Sequence, residues 1–356
     1  MKWQYYAGTE GLHELRSEWN GLLQRSATNT LFLTWEWQTA WWAAFGQGKD
    51  MHLLGGRDAA GELKVVLPLF SQETRLSPVT SLPDINIENP TAAAGDDRRR
   101  TAHLMGGSEV SDYLDVVAAS QDNSEACAAL LDAWAEREDC RILDLRNLPA
   151  ASPTISSITQ LARSRGWQAQ ATKEDVCPVL ELAATWDEYL ANSLNRKKRH
   201  ELRRKMRKAE QEVDVHWSWI EPSNIDVGLQ VFFELHRASD SNKDTFMSER
   251  MEGFFRGAAL AAQDAGWLRL AVLRFDSHAV ASYLCFDYLG DRLLYNSGFD
   301  VSSYGHLSPG IVLLGHLIDD AIESGCRRFD FLQGNERYKY DLGATDTEVW
   351  RVFVRR

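Results

Sequence analysis

Near the C-terminus a dense group of ionisable side chains follows an apolar run: Arg328-Phe-Asp330-Phe-Leu-Gln-Gly334-Asn-Glu336-Arg-Tyr338-Lys339. Acid–base chemistry needs titratable groups at fixed positions. Asp330 or Glu336 can take a proton, and Tyr338 can give one to a departing thiolate. The same residue types also suit a strand-terminal loop held by a Lys–Glu pair and an Asp bonded to backbone amides. Upstream stands Ser308-Pro309-Gly310, followed by an apolar stripe at Ile311, Leu314, Leu317, Ile318, Ala321 and Ile322 that Gly325 stops. Ser308 is expected to cap this helix and Pro309 to fill its first turn, where no amide donor is needed. Free amides there, with Gly310 permitting close approach, could hold a pyrophosphate. A plain capped helix has the same sequence, because every helix starts with unpaired amides.

A third candidate is a basic helix over Asn195 to Glu210. Arg196, Arg199, Arg203, Arg207 and Glu210 recur at three to four residues and share a face, with Leu194, Leu202, Met206 and Ala209 as anchors. From Arg196 to Lys208 there are nine Lys or Arg and one acid, Glu201, a net of +8, so the remainder of a chain of net charge −12 carries −20. One reading is a solvated charged face. The other is a grip on phosphates, whether of a nucleotide cofactor, a tRNA acceptor end or an anionic lipid headgroup. His236, in Phe233-Glu-Leu-His236-Arg237, falls on a helix that could turn it toward a cleft or leave it structural. There is no P-loop, no G-x-G-x-x-G after a strand, no G-x-S-x-G elbow and no H-E-x-x-H among the nine His.

The elements that must position these groups read as two similar sets. The first has a strand at 3–6, helices at 12–24 and 35–45 (capped by Thr34), and a hairpin over 51–70 with its turn at Asp58-Ala-Ala-Gly61. A long loop over 71–108 holds Asp96-Asp97 and Arg98-Arg99-Arg100 and could lie over a cleft. Then come a strand at 113–119, a helix at 124–138, a strand at 141–148, a helix from about Ser152 to Arg165 and an extended segment at 167–182. The second set opens on Thr185-Trp186-Asp187-Glu188, a capping-box pattern. Helices follow at 186–211, 225–239 and 248–265, and strands at 267–275, 279–288 and 292–299, before the helix and strand that carry the candidate site. Cys140-Arg141-Ile-Leu-Asp144-Leu matches Cys326-Arg327-Arg-Phe-Asp330-Phe, each after a strand and a helix. This predicts a duplicated α/β unit, 1–183 and 184–356, with Asp144 and Asp330 at equivalent strand positions. The first copy has no counterpart of Ser308-Pro309-Gly310 or Gly334-x-Glu336-x-Tyr338-Lys339, so chemistry is assigned to the second.

Composition sets the class. Hydrophobic residues at 44% and charged residues at 25% are ordinary for a soluble globular chain of 356 residues, enough for two domains. Of 13 Trp, Trp35, Trp37, Trp41 and Trp42 crowd one segment, which points to packing more than to a sugar platform. No apolar run spans a bilayer, and Met1-Lys2-Trp3-Gln4-Tyr5 lacks a signal peptide's apolar core. The five Cys form no C-x-x-C pair and read as buried free thiols in a reducing cytoplasm, with no metal site. The acidic balance argues against bulk nucleic-acid binding.

Taken together, Leu194-x-x-x-x-Arg199-x-x-Leu202-Arg203-Arg204, Leu235-His236, Gly266-x-Leu268-x-Leu270, Tyr295-x-x-Gly298-Phe299-Asp300, Ser308-Pro309-Gly310 and Phe329-Asp330-Phe-Leu-x-Gly334-x-Glu336-x-Tyr338-Lys339 resemble a known group. They are similar to the GNAT-like acetyltransferases linked to bacterial cellulose and exopolysaccharide biosynthesis, the CelD-like proteins. That group is similar in turn to Fem-type aminoacyl transferases, which carry two GNAT-like units. The resemblance covers about 186–345; in the first half it rests on Phe32-x-x-Trp35-x-Trp37-x-x-x-Trp41-Trp42 and Leu67-Pro68-Leu69. It implies two tandem units of the acyl-CoA N-acyltransferase fold. It also implies acetyl-CoA or another acyl-CoA as donor, its pyrophosphate at Ser308, Pro309 and Gly310, and an amine or hydroxyl acceptor on a small molecule, glycan or lipid. Glu336 or Asp330 would be the base and Tyr338 the acid, with His236 or an ordered water in reserve. Arg199, Arg203 and Lys339 would bind the cofactor as charge partners. The loop Tyr304-Gly-His-Leu-Ser-Pro-Gly310 is poorer in glycine and basic residues than a typical GNAT phosphate loop, and Fem-type relatives use aminoacyl-tRNA instead. A silent accessory role in a polysaccharide-synthesis complex is the third expectation.

Overall fold

Alternating apolar residues and tight turns build the first sheet. β1 (Lys2–Tyr6), β2 (Asp50–Arg57), β3 (Leu63–Arg75) and β4 (Arg98–Leu104) pair antiparallel in that order. The β2–β3 turn forms where Asp58 Oδ1 accepts from the amides of Ala60 and Glu62, and Gly61 takes a φ of 85° that few other residues tolerate. The computed structural model describes residues 1–75 and 98–356, so Asp96-Asp97 and most of the expected loop lie outside the described residues. The Arg98–Arg100 triplet begins β4 and is not in a loop. These residues divide into two units, Met1–Asp175 with Glu348–Arg356, and Val176–Thr347.

In the first unit α1 (Gly8–Leu23) and α2 (Trp35–Phe45) follow β1, and Thr34 caps α2 by accepting from Trp37 N at 3.3 Å. Trp35, Trp37 and Trp41 are core residues; the first two indoles donate to Leu12 O and Ser111 Oγ. The strand expected over 113–119 shrinks to β5 (Val117–Ala118). Ahead of it Asp115, buried, accepts from Thr28 Oγ1 and Ser152 Oγ, both at 2.5 Å, which commits the segment to side-chain bonds rather than a ladder. After α3 (Asn123–Ala135), β6 (Ile142–Pro149) lies parallel to β4. α4 (Pro153–Ser164), capped by Ser152, leads into β7 (Gln168–Glu181). The sixth strand of this sheet is the C-terminal β13 (Thr345–Arg355), antiparallel to β6.

The second unit repeats the pattern. β8 (Val215–Trp219), β9 (Leu268–Phe275), β10 (His278–Tyr288) and β11 (Asp291–Phe299) pair antiparallel; β12 (Arg328–Asp330) lies parallel to β11, and the end of β7 pairs antiparallel with β12. Both sheets therefore share one strand order and one sequence of pairing directions, as the duplicated motif predicts. Asp144 and Asp330 are each the third residue of the equivalent strand, in register with His103 and Leu293 respectively.

The helix expected over 186–211 is two, α5 (Trp186–Asn192) and α6 (Arg196–Glu212), because Asn195 starts a new one by accepting from Lys198 N at 3.0 Å. α7 (Ile225–Ser239), α8 (Ser241–Phe246) and α9 (Glu249–Asp264) cover one face of the sheet, where Phe255 meets Tyr295. α10 (Pro309–Glu323) and α6 cover the other with Tyr283, Cys285 and Leu313 in their core. α11 (Arg337–Asp341) falls where a loop was expected. Among the described residues the five Cys form no disulfide, and no helix is long and apolar enough to cross a membrane.

Candidate functional site

Two backbone events open a gap in the second sheet. β11 pairs with β12 only through Asp291–Leu293, although β11 continues to Phe299. β12 stops because Leu332 turns left-handed (φ 56°) and its amide donates to Asp330 Oδ1 at 2.8 Å. On the other side β11 carries one extra residue, Tyr295, between the Leu284–Asn296 and Cys285–Leu294 pairs. A bulge of this kind re-aims a strand, and here it moves Ser297 opposite Tyr283.

The start of α10 lies at this gap. Ser308 does not cap it as expected: its φ is 55°, its side chain makes no cap bond, and only its carbonyl serves the helix by accepting from Val312 N at 3.0 Å. Pro309 has no amide, and the amides of Gly310 and Ile311 find no acceptor among the described residues. Both residues line a cleft of ≈ 250 Å³ with Tyr283, Ser297, Phe299 and Tyr338. A Cβ on Gly310 would come within 3.3 Å of Phe299 Cδ1 and Tyr283 Oη, so glycine keeps the cleft open here. Tyr283 donates to Gly310 O at 3.2 Å, and burial holds its phenol well above the usual range.

Tyr338 brings a hydroxyl with no hydrogen-bond partner among the described residues to this cleft. Burial, with a contribution from the Glu336 carboxylate, raises its pKa, so at neutral pH it carries a proton that it can donate. Glu336 is 56% exposed and its Oε2 lies 2.9 Å from Lys339 Nζ. Lys339 is 2% exposed, and its ammonium also donates to Leu332 O, Gln333 O and Gly334 O at 3.0, 2.9 and 3.0 Å. With its donors on the loop it has none for a cofactor, so the strand-terminal clamp describes Lys339 better than a phosphate contact. Asp330 is buried at the strand end beside its Leu332 bond, away from the cleft lining.

The basic helix does not supply the cleft either. Arg199 Nη1 donates to Leu190 O at 3.3 Å, tying α6 to α5, and Arg203 faces Asp187 at 3.4 Å on the surface. Neither lines the cleft; toward the end of α6, Lys208 Nζ donates to His306 O at 3.1 Å in the turn before α10. His236, 1% exposed between Phe232 and Phe246, lies behind β11 and not in the cleft.

Two residues of the cleft lining, Tyr283 and Ser297, and one bonded to Ser297, Lys243, escaped sequence reasoning. Lys243 reaches from α8 to β11, donating to Ser297 O at 2.7 Å and Ser297 Oγ at 3.3 Å over the Phe299 ring. Burial lowers its pKa, against the Asp240 and Glu336 carboxylates, which raise it. Nothing in Asp240-Ser-Asn-Lys243-Asp-Thr marks it. Tyr283 and Ser297 were nearer to hand, since counting back from the Leu289-Gly290 turn pairs Tyr283 with Asn296, one residue short because of the bulge.

Comparison with known proteins agrees with this architecture. Residues 196–340 match the family model described as an acetyltransferase (GNAT) domain. No curated protein matches the chain. Among solved structures, FemX superposes with a TM-score of 0.63 at 11% identity, covering 99% of this chain and 97% of that one. A conserved protein of unknown function from Bacteroides thetaiotaomicron gives 0.60 at 11%, covering 100% of both chains. The C-terminal domain of a protein assigned as a lysylphosphatidylglycerol synthetase, from Agrobacterium fabrum, gives 0.58 at 11%, covering 97% and 92%. The fold is the GNAT fold, carried twice in one chain.

Proposed function

We propose that the second unit transfers an acyl group from a thioester donor, acetyl-CoA or another acyl-CoA, to an amine or hydroxyl. One observation carries this reading: the unpaired amides of Gly310 and Ile311 and the unpartnered Tyr338 hydroxyl open on one cleft. Amides at a helix start favour a pyrophosphate, and a thioester lying from there toward Tyr338 would present its sulfur to a phenol that is still protonated. The acceptor attacks the thioester carbon, its proton passes to a base, the carbon–sulfur bond breaks, and Tyr338 protonates the thiolate. Glu336, exposed beside Tyr338, suits the base role better than Asp330, whose carboxylate already serves Leu332. The CelD-like resemblance supports an acceptor from envelope or exopolysaccharide metabolism.

The test is a thermal-shift panel of acetyl-CoA, longer acyl-CoAs, free CoA and charged tRNA, followed by acyl-transfer assays. A donor that binds the native state at a hundred times its Kd adds about 2.7 kcal/mol of stability. We expect CoA and an acyl-CoA to shift the melt. Tyr338→Phe and Glu336→Gln should each cut turnover roughly 10²–10⁴-fold with donor binding little changed. A shift with charged tRNA and none with CoA would instead favour the Fem-like alternative. No shift with any donor would leave a silent accessory protein.

A further inference from the structure

The cleft accounts for none of the charge on α6. At 100° per residue, Arg196, His200, Arg203, Arg204 and Arg207 fall on one side of the helix, and all are exposed. Leu202 and Ala209 are buried, and Met206 lies against α10, where it would meet a Cβ on Gly315 at 2.8 Å. Arg196, Lys197 and His200 make no ion pair among the described residues. Arg203 meets Asp187 at 3.4 Å with side chains 49% and 88% exposed, an interaction of little strength. Arg204 is held by Glu201 at 2.7 Å. From Arg196 to Arg207 the stripe is roughly 16 Å long at 1.5 Å per residue. Apart from the His200 ring it carries no apolar or aromatic side chain, so bases have little to stack on.

At the end of this stripe lies the cleft rim. Lys208 bonds His306 O in the turn before α10, and the same loop exposes Val301, 50% accessible and part of the cleft lining. Asp300 holds that tip in shape, accepting from the amides of Ser302 and Ser303 at 2.8 and 3.1 Å. A row of guanidinium groups beside an exposed aliphatic tip fits headgroup phosphates above hydrocarbon. An RNA backbone would use the arginines and leave the valine without a partner.

We propose that the outward face of α6 docks the protein on an anionic phospholipid bilayer, with the Val301 rim of the cleft at the membrane surface. The rest of the chain, at −20, is repelled by such a surface, so the helix also sets the orientation. The acyl-transfer reading gives the docking its purpose, an acceptor or acyl donor carried at the bilayer, while the binding itself is independent of it.

The test is sedimentation of the full chain with vesicles of phosphatidylcholine alone and of phosphatidylcholine with phosphatidylglycerol, at low and high salt, with tRNA as a separate probe. We expect binding to the anionic vesicles only, reversed by high salt as the Debye length shrinks. Arg196→Gln and Arg207→Gln should each weaken partition about fivefold, and Val301→Ser should weaken it further. The two arginine variants should keep their melting temperature and their shift with acetyl-CoA, which separates lost docking from lost fold. Equal binding to neutral vesicles, no vesicle binding, or arginine variants that bind unchanged would overturn the proposal. Binding of tRNA but not of vesicles, lost in the same variants, would reassign the face to RNA. If docking holds while no acyl donor shifts the melt, the acyl-transfer reading fails and the docking stands.

Discussion

His236 contributes through what its burial costs. Burial, with a smaller push from the Lys243 ammonium, lowers its pKa to about 4, and in the first unit burial lowers His52 to about 4 as well. Unfolded, each imidazole titrates near 6.5. Between those values the unfolded chain binds protons that the native chain does not, so stability is fully present above about pH 6.5 and falls as pH drops toward 4. Urea denaturation between pH 7 and 5 should therefore show a falling midpoint, and His236→Gln should remove a good part of the slope. A variant with the same slope as the parent would mean that His236 takes up its proton in place. Residue types alone marked Asp330, Glu336 and Tyr338 as a group. They could not separate the phenol free at the cleft from the carboxylate already bonded to Leu332, because that depends on one left-handed residue.

At the scale of elements, the approach of α7 to β11 depends on Gly298. A Cβ there would lie 2.2 Å from His236 N and 2.4 Å from Leu235 C, both backbone atoms that cannot swing aside. Gly298→Ala should cost roughly 3 kcal/mol or more. Gly310→Ala meets only side-chain atoms at 3.3 Å, so it should cost far less stability while narrowing the cleft. Chemical denaturation of the two variants checks this, and similar losses would refute it. Most elements were legible because their signals are local: Thr34, Ser152 and Thr185 cap the helices expected of them. The exceptions are places where a tertiary bond overrides the local pattern. Ser308 was read as a side-chain cap and instead turns left-handed; the 113–119 strand gave way to the bonds of Asp115; and one extra residue in β11 decides which side chain faces the cleft. The repeated Cys-Arg-x-x-Asp was enough to place Asp144 and Asp330 correctly, since each lies beside a parallel strand pair.

In the whole molecule, each sheet takes its sixth strand from the other end of the duplication. β7 follows the helix of the first unit and finishes the second sheet, while β13 follows the second unit and finishes the first. No sequence pattern announces this, because both segments read as ordinary strands with two possible destinations. The pairing of Val349–Arg355 with Ile142–Pro149, together with Arg351 Nε on Asp144 Oδ1 at 2.5 Å, makes the last residues part of the first unit's core. Deleting 348–356 should therefore strip hydrogen-exchange protection from β6 and α3 while β9, β10 and β11 keep theirs. Loss confined to the second unit would contradict the assignment. The arrangement also imposes a timetable on biosynthesis. At roughly 5–20 residues per second the ribosome needs on the order of 10–30 s to pass from Asp175 to Glu348. For that interval the nascent first unit presents β6 as an open edge, the kind of surface that recruits chaperones or neighbouring chains. The half of the protein that is made first is the half that must wait for a strand made much later to be finished.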